Sequence, residues 1–126
     1  MSRPATARGQ ARFRAYRFGL RAETLCVWWL RARGYRILAR RFKAPVGEID
    51  IIARRGSLLA MIEVKARSGD EVTPAVPTAR QRRRIARAAE AFLARSPRLA
   101  DCDIRFDLMV ARPWRLPRHL PDAWRP

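Results

Sequence analysis

GEIDIIARRGSLLAMIEVKAR, residues 47–67, is the stretch on which the fold turns. Both halves alternate apolar and charged residues around a turn at Arg54-Arg55-Gly56-Ser57. Side chains with a period of two alternate between faces, so Glu48–Ala53 and Leu58–Arg67 read as the two strands of a β-hairpin. On the first strand Glu48, Asp50 and Ile52 share one face, and Ile49, Ile51 and Ala53 the other. On the second, Glu63 and Lys65 lie with Leu59 and Met61, opposite the apolar set Leu58, Ala60, Ile62 and Val64. Closing the hairpin through Arg55-Gly56 sets Ala53 against Leu58, Asp50 against Met61 and Glu48 against Glu63. A one-residue slip would bury carboxylates among aliphatics, which specifies the faces. Glu48, Asp50, Glu63 and Lys65 then project from one side, with Asp50 and Glu63 roughly 7 Å apart at the backbone as diagonal neighbours.

Three carboxylates so close repel one another unless something neutralises them. The one base among them is a lysine, in a chain with 26 Arg and two Lys. An ammonium is a compact charge whose pKa shifts on burial, so it can hold or activate a water, which a guanidinium does poorly. Carboxylate oxygens suit Mg²⁺, which takes one or two carboxylates plus water and phosphate oxygens. Carboxylates, cation, lysine and water together make a hydrolytic site for a phosphodiester. The plainer alternative is a solvated, salt-bridged outer face, although Ile52, Leu59 and Met61 on that face argue against full solvation.

Outward from the hairpin, helix and strand signals alternate. Phe18, Ala22, Leu25, Trp29 and Ala32 fall at helical spacing, with Gly34 as the stop. Glu23 sits beside that stripe, either as an outer ligand of the carboxylate site or as a helix acid paired with an arginine of its own helix. Tyr35–Phe42 reads as a strand ended by Pro45 and Gly47. Thr78 and Gln81 have capping-box spacing and open a second helix with the stripe Ile85, Ala88, Ala89, Phe92 and Leu93, and Pro97 lies beyond its end. Ile104, Phe106, Leu108 and Val110 alternate as a last strand. The expected fold is α/β, an αβββαβ core with a central mixed sheet flanked by helices.

The chain has 126 residues and a formal charge of +17, enough length for one domain and a basic balance that points to a polyanion. The longest apolar run, Leu25–Leu30, is far short of the ~20 residues of a membrane span, so no membrane partner is expected. No secretory signal follows the basic start, and Cys26 and Cys102 form no metal motif. Reduced core thiols and a cytoplasmic setting are the expectation. Residues 1–17 read as a basic tail (an organelle transit peptide being the rival reading), 18–111 as the domain, and 112–126 as an irregular tail with four prolines. Trp114 and Trp124 are expected to dock that tail, with base stacking as the alternative, and His119 to be a surface histidine.

The order helix-Glu, strand-Asp, strand-Glu-x-Lys resembles the restriction-endonuclease-like, or PD-(D/E)xK, nuclease superfamily. More closely, the chain resembles the YraN family of predicted endonucleases. The matching residues are Gly19, Ala22-Glu23, Leu30, Gly34-Tyr35, GEIDIIA at 47–53, IEVK at 62–65 with Arg67, and Arg105-Phe106-Asp107. Archaeal Holliday junction resolvases are a more distant likeness. The resemblance implies a restriction-endonuclease-like fold with Mg²⁺ or Mn²⁺ held by Asp50, Glu63 and the Val64 carbonyl. It further implies Lys65 orienting the attacking water, Glu23 completing the shell, Glu48 as a further motif carboxylate, and Asp107 as a structural partner of a nearby arginine. The family often has lysine early in the second helix, where this chain has Arg80-Gln81.

Arg80, Arg83, Arg84 and Arg87 line one side of that second helix, with only Glu90 to offset them, and Arg67 ends the third strand. Such a run is either a solvated face or a track for phosphates. The expected function is Mg²⁺-dependent cleavage of DNA, more than RNA, with branched or structured DNA as the substrate suggested by the resolvase likeness. No base-reading motif is visible. A homodimer is left open. The competing classes are a non-catalytic nucleic-acid-binding module of the same fold and a basic RNA- or ribosome-associated protein.

Overall fold

The computed structural model describes residues 21–67 and 76–126. The expected basic tail, Phe18 and Gly19 lie outside them. Residues 21–32 are helical (α1). Then follow β1 (Arg36–Ala44), β2 (Gly47–Arg55), β3 (Leu58–Ala66), α2 (Ala79–Ala94), a short 3-10 turn at Pro97–Leu99, β4 (Asp103–Ala111) and β5 (Arg118–Trp124). The strands form one sheet in the order β1-β2-β3-β4-β5, antiparallel throughout except for the parallel pair β3 and β4. This is the expected mixed α/β sheet with its αβββαβ order, plus one further strand. No helix among the described residues is long and apolar enough to cross a membrane.

Both helix boundaries follow their local chemistry. At the end of α1, Gly34 takes φ 86°, and the Tyr35 N–H reaches back to the Leu30 carbonyl at 3.0 Å. Glycine adopts that conformation without a Cβ penalty. At the start of α2, the Gln81 N–H donates to Thr78 Oγ1 (3.2 Å), and the Thr78 N–H donates to Gln81 Oε1 (2.9 Å). The capping box is complete.

Each face of the sheet is covered by one helix. Ala22, Cys26, Val27 and Leu30 of α1 pack on Ile51, Ala53, Ala60, Ile62 and Met109. Ile85, Ala88 and Ala89 of α2 pack on Ile49, Ile52, Leu59, Met61 and Phe106. The expected α1 stripe is therefore rotated. Leu25 and Ala32 are exposed, and Cys26, Val27 and Leu30 take the inner side. Residues 25–30 are apolar all round, so periodicity could not choose a face. The alanine floor of the sheet does.

Three further expectations change. The hairpin closes two residues tighter than expected, through Gly56-Ser57 with Gly56 at φ 61°, so Arg55 pairs with Leu58 and Ala53 with Ala60. The shift is even, so faces survive but neighbours change: Asp50 moves from opposite Met61 to the row of Glu63. Strict alternation also fails on β2, because Ile49 and Ile51 lie in different core clusters. Opposite this break Arg41 has φ 51°, a kink in the pleat of β1. Finally, the segment 112–126 is not an irregular tail. Its residues 118–124 form β5, and Pro121 is tolerated because β5 is an edge strand with an irregular register there. Trp124 is buried against Phe106 (ring centroids 4.4 Å apart), whereas Trp114 is fully exposed and docks nothing.

Candidate functional site

β2 and β3 pair only as far as Ile51 opposite Ile62, although β2 begins at Gly47 and β3 runs on to Ala66. Beyond that row β2 stays with β1 and β3 stays with β4. The two strands thus fork, and the acidic residues stand at the fork. The carboxylate of Asp50 spans the gap, with its Oδ2 accepting the Val64 N–H at 2.8 Å. A side chain here does the work that the next ladder bond would have done.

A cleft of about 320 Å³ opens at the fork. Glu48, Asp50 and Glu63 line it with Lys43 and Gly47; Gln81, Arg84 and Ile85 of α2 contribute a wall, and Trp124 of β5 also lines it. Gly47 lets α2 come this close. A Cβ there would fall on the Arg84 carbonyl oxygen and lie 2.9 Å from its carbonyl carbon.

Electrostatically the fork is under-neutralised. Burial raises the Asp50 carboxyl to about 6; the Val64 N–H opposes the rise, and the charges of Glu63, Glu23 and Glu48 add to it. Glu63 Oε1 pairs with Lys65 Nζ at 2.9 Å, but Glu63 Oε2 is buried with no hydrogen-bond partner. A buried carboxylate oxygen without a partner is costly. Burial, with the charges of Glu23 and Asp50, pushes the Cys26 thiol up to about 12, which makes it an inert core residue as expected.

The expected site residues divide as follows. Asp50 and Glu63 come together in the cleft, with Glu48 exposed at its rim and Lys65 bound to Glu63. Val64 meets Asp50 through its N–H. Glu23 is buried (7 % exposed), and its partners among the described residues lie on β1 and not on its own helix: Arg40 Nε and Arg41 Nε each hold one of its oxygens at 3.0 Å. Adjacent strand residues ordinarily point to opposite faces, and the positive φ of Arg41 lets both reach one carboxylate. Arg80, Arg83, Arg84 and Arg87 are all exposed, while Arg67 is half-buried with its guanidinium on the Ala66 carbonyl (3.2 Å). Among the described residues, no three Asp, Glu, His or Cys side chains converge closely enough to hold a metal ion by themselves.

Sequence reasoning missed Lys43, Gln81 and Trp124 in the cleft. Gln81 carried a capping signal only, and Trp124 needed β5 to be recognised. Asp107 is structural as expected: it is fully buried, with Arg105 Nε and a terminal guanidinium nitrogen each 2.7 Å from its oxygens. His119 is no surface histidine, since its Nε2 lies 2.7 Å from Asp107 Oδ2. The Asp122 N–H adds a further bond (3.0 Å), and Arg105 also reaches the Tyr35 hydroxyl at 2.8 Å.

Residues 22–111 match the sequence model of the family described as "Uncharacterised protein family UPF0102". The chain belongs to the UPF0102 family. It is 55 % identical over 112 residues to a UPF0102 protein of Parvibaculum lavamentivorans, covering 89 % of this chain and 84 % of that one. It is 49 % identical over 121 residues to one of Rhodopseudomonas palustris strain BisB5, covering 96 % and 92 %. A third relative, from Bartonella quintana, is 46 % identical over 112 residues, covering 89 % and 92 %. This UPF0102 match is the YraN-like group that the GEIDIIA and IEVK stretches resemble. The matched region ends with β4, so β5 and the turn before it lie outside the family match.

Proposed function

We propose that this UPF0102 protein is a divalent-metal-dependent endonuclease of the restriction-endonuclease-like kind, acting on DNA in the cytoplasm. One observation carries the reading: Glu63 Oε2 is buried without a partner, beside an Asp50 carboxyl that its surroundings push toward neutrality. A cation shared by the two carboxylates relieves both conditions. The donors are hard oxygens, so Mg²⁺ or Mn²⁺ fits better than a thiophilic metal. Asp50 and Glu63 would hold the ion, with the Val64 carbonyl and Glu48 as further oxygen donors. Glu23 would join them only by releasing Arg40 and Arg41. When bound, such an ion polarises phosphoryl oxygens and acidifies water.

The chain's own residues supply the remainder. Lys65, anchored on Glu63, holds and orients the attacking water. Arg84, on the cleft wall, meets the scissile strand's phosphate, and Arg80, Arg83 and Arg87 extend that contact along α2. Arg67 continues it at the end of β3. Branched or structured DNA is the substrate class this reading favours, through the resolvase likeness. The test is cleavage of duplex, single-stranded and branched DNA with Mg²⁺ or Mn²⁺ by wild type, Asp50→Ala and Lys65→Ala. Cutting by wild type alone supports the reading, and equal cutting by all three reveals a contaminant.

One observation favours a second reading. Among the described residues, no three Asp, Glu, His or Cys side chains at the fork stand close enough together to hold a metal ion by themselves. A non-catalytic nucleic-acid-binding module would need no complete centre. It predicts tight, salt-sensitive DNA binding by wild type and both variants, with no cleavage by any of them.

A further inference from the structure

The turn joining β4 to β5, Arg112-Pro113-Trp114-Arg115-Leu116-Pro117, leaves the sheet beside the site. Because β3 and β4 are parallel, Lys65 pairs with Val110 and Ala66 with Ala111, and the Arg67 N–H donates to the Ala111 carbonyl at 2.9 Å. The turn therefore starts at the end of the sheet that carries Glu63, Lys65 and Arg67.

Trp114 on this turn is fully exposed, and Leu116 beside it is 69 % exposed. Trp114 also has φ 62°, a left-handed conformation that a bulky side chain rarely adopts. No packing of the ring compensates, so folding does not explain why the largest apolar side chain stands at this position. Strain of this kind collects where a protein meets a ligand. Arg112, Arg115 and Arg118 flank Trp114 in sequence, and no acid occurs between Asp107 and Asp122. Pro113 and Pro117 limit the backbone freedom of the turn. An exposed indole on an arginine-rich, acid-free turn complements a stacked base flanked by phosphates.

We infer that the β4–β5 turn is a base-stacking wedge, on which Trp114 receives an unpaired base of the DNA whose backbone lies along the fork. The inference rests on the nucleic-acid reading above and deepens it. Interior pairs of a duplex offer Trp114 no free base face, and a blunt end offers only the face of a closed pair. An overhang or a branch point offers unpaired bases, so the wedge sets a preference for such structures through this one side chain.

The test uses the full chain without divalent metal, so that binding is separated from cutting. Affinity is measured by anisotropy for a blunt duplex, the same duplex with a single-stranded overhang, and a three-way branch. Wild type is expected to bind the overhang and branch about tenfold more tightly than the blunt duplex, the scale of one stacked base. Trp114→Ala should lose that preference while binding blunt duplex as wild type does, and Trp114→Phe should keep most of it. Trp114→Ala with the preference intact overturns the inference. So does an equal loss on all three DNAs, or Trp114-dependent binding to anionic phospholipid vesicles in place of DNA. Lys65→Ala, run in parallel, should keep the preference. If wild type never cuts yet the preference depends on Trp114, the nuclease reading fails and the wedge stands; if wild type cuts and Trp114→Ala changes nothing, the reverse holds.

Discussion

Asp50 and Val64 are joined across the fork between β2 and β3 by a 2.8 Å hydrogen bond from the Val64 N–H to the Asp50 carboxylate. The bond ties a strand that continues with β1 to one that continues with β4. It also leaves Asp50 Oδ1 uncommitted to any hydrogen bond among the described residues while burial and three neighbouring acids oppose its charge. The proposed cation site draws on that arrangement.

Asp50→Asn keeps an acceptor for the Val64 N–H and removes the charge. It should fold at least as stably as wild type and lose divalent-metal binding, seen by calorimetry with Mn²⁺. Its cleavage rate should fall by about 100-fold or more, since a lost metal forfeits several kcal/mol of charge stabilisation. Asp50→Ala also strands the Val64 N–H and should cost about 1–3 kcal/mol in urea unfolding.

Lys65→Met removes the ammonium from Glu63 Oε1 while keeping the length of the side chain. Both side chains are mostly buried and Glu63 is left without a charged partner, so stability should fall by about 1–3 kcal/mol. Metal binding should persist and cleavage should vanish. Loss of metal binding together with cleavage would assign Lys65 to the ion's environment and not to the water.

Gly47→Ala should destabilise the chain by about 1–3 kcal/mol, the usual scale of overpacking, because the added methyl meets α2 backbone at Arg84. A melting temperature equal to that of wild type would show that α2 can yield there.

Neutralising Arg80, Arg83 and Arg87 to Gln should flatten the salt dependence of DNA binding. Each phosphate that an arginine no longer neutralises takes roughly 0.9 off the slope of log K against log salt, so the triple variant should be shallower by up to about 3. An unchanged slope would make this face a solvated one.

Asp107 carries the pH prediction. Burial alone would raise its carboxyl, but hydrogen bonds from His119, Arg105 and the Asp122 N–H hold it below the usual carboxylate value. A carboxylate depressed in the folded state binds fewer protons there than in the unfolded chain, so stability rises with pH across that interval. The contribution is complete above the ordinary value of 3.8 and is lost as pH falls through the lowered one. Asp107→Asn should therefore show a shallower loss of stability with acid below about pH 4.

The residues 47–67 by themselves determined a hairpin whose second strand alternates strictly between faces, Leu59 and Met61 on one and Ala60 and Ile62 on the other, because side chains in a strand repeat with a period of two. Caps were equally legible, since Gly34 and the Thr78–Gln81 box act through neighbouring backbone groups alone. What periodicity lacks is information on where pairing stops. That β2 and β3 fork after Ile51, that Arg41 kinks so two arginines claim Glu23, and that Pro121 sits in an edge strand all depend on contacts between segments distant in the chain. The same holds for the two tryptophans after β4: one is buried and one projects because β5 finds β4. Tertiary packing decided these because each side chain's partner lies on another element of the fold.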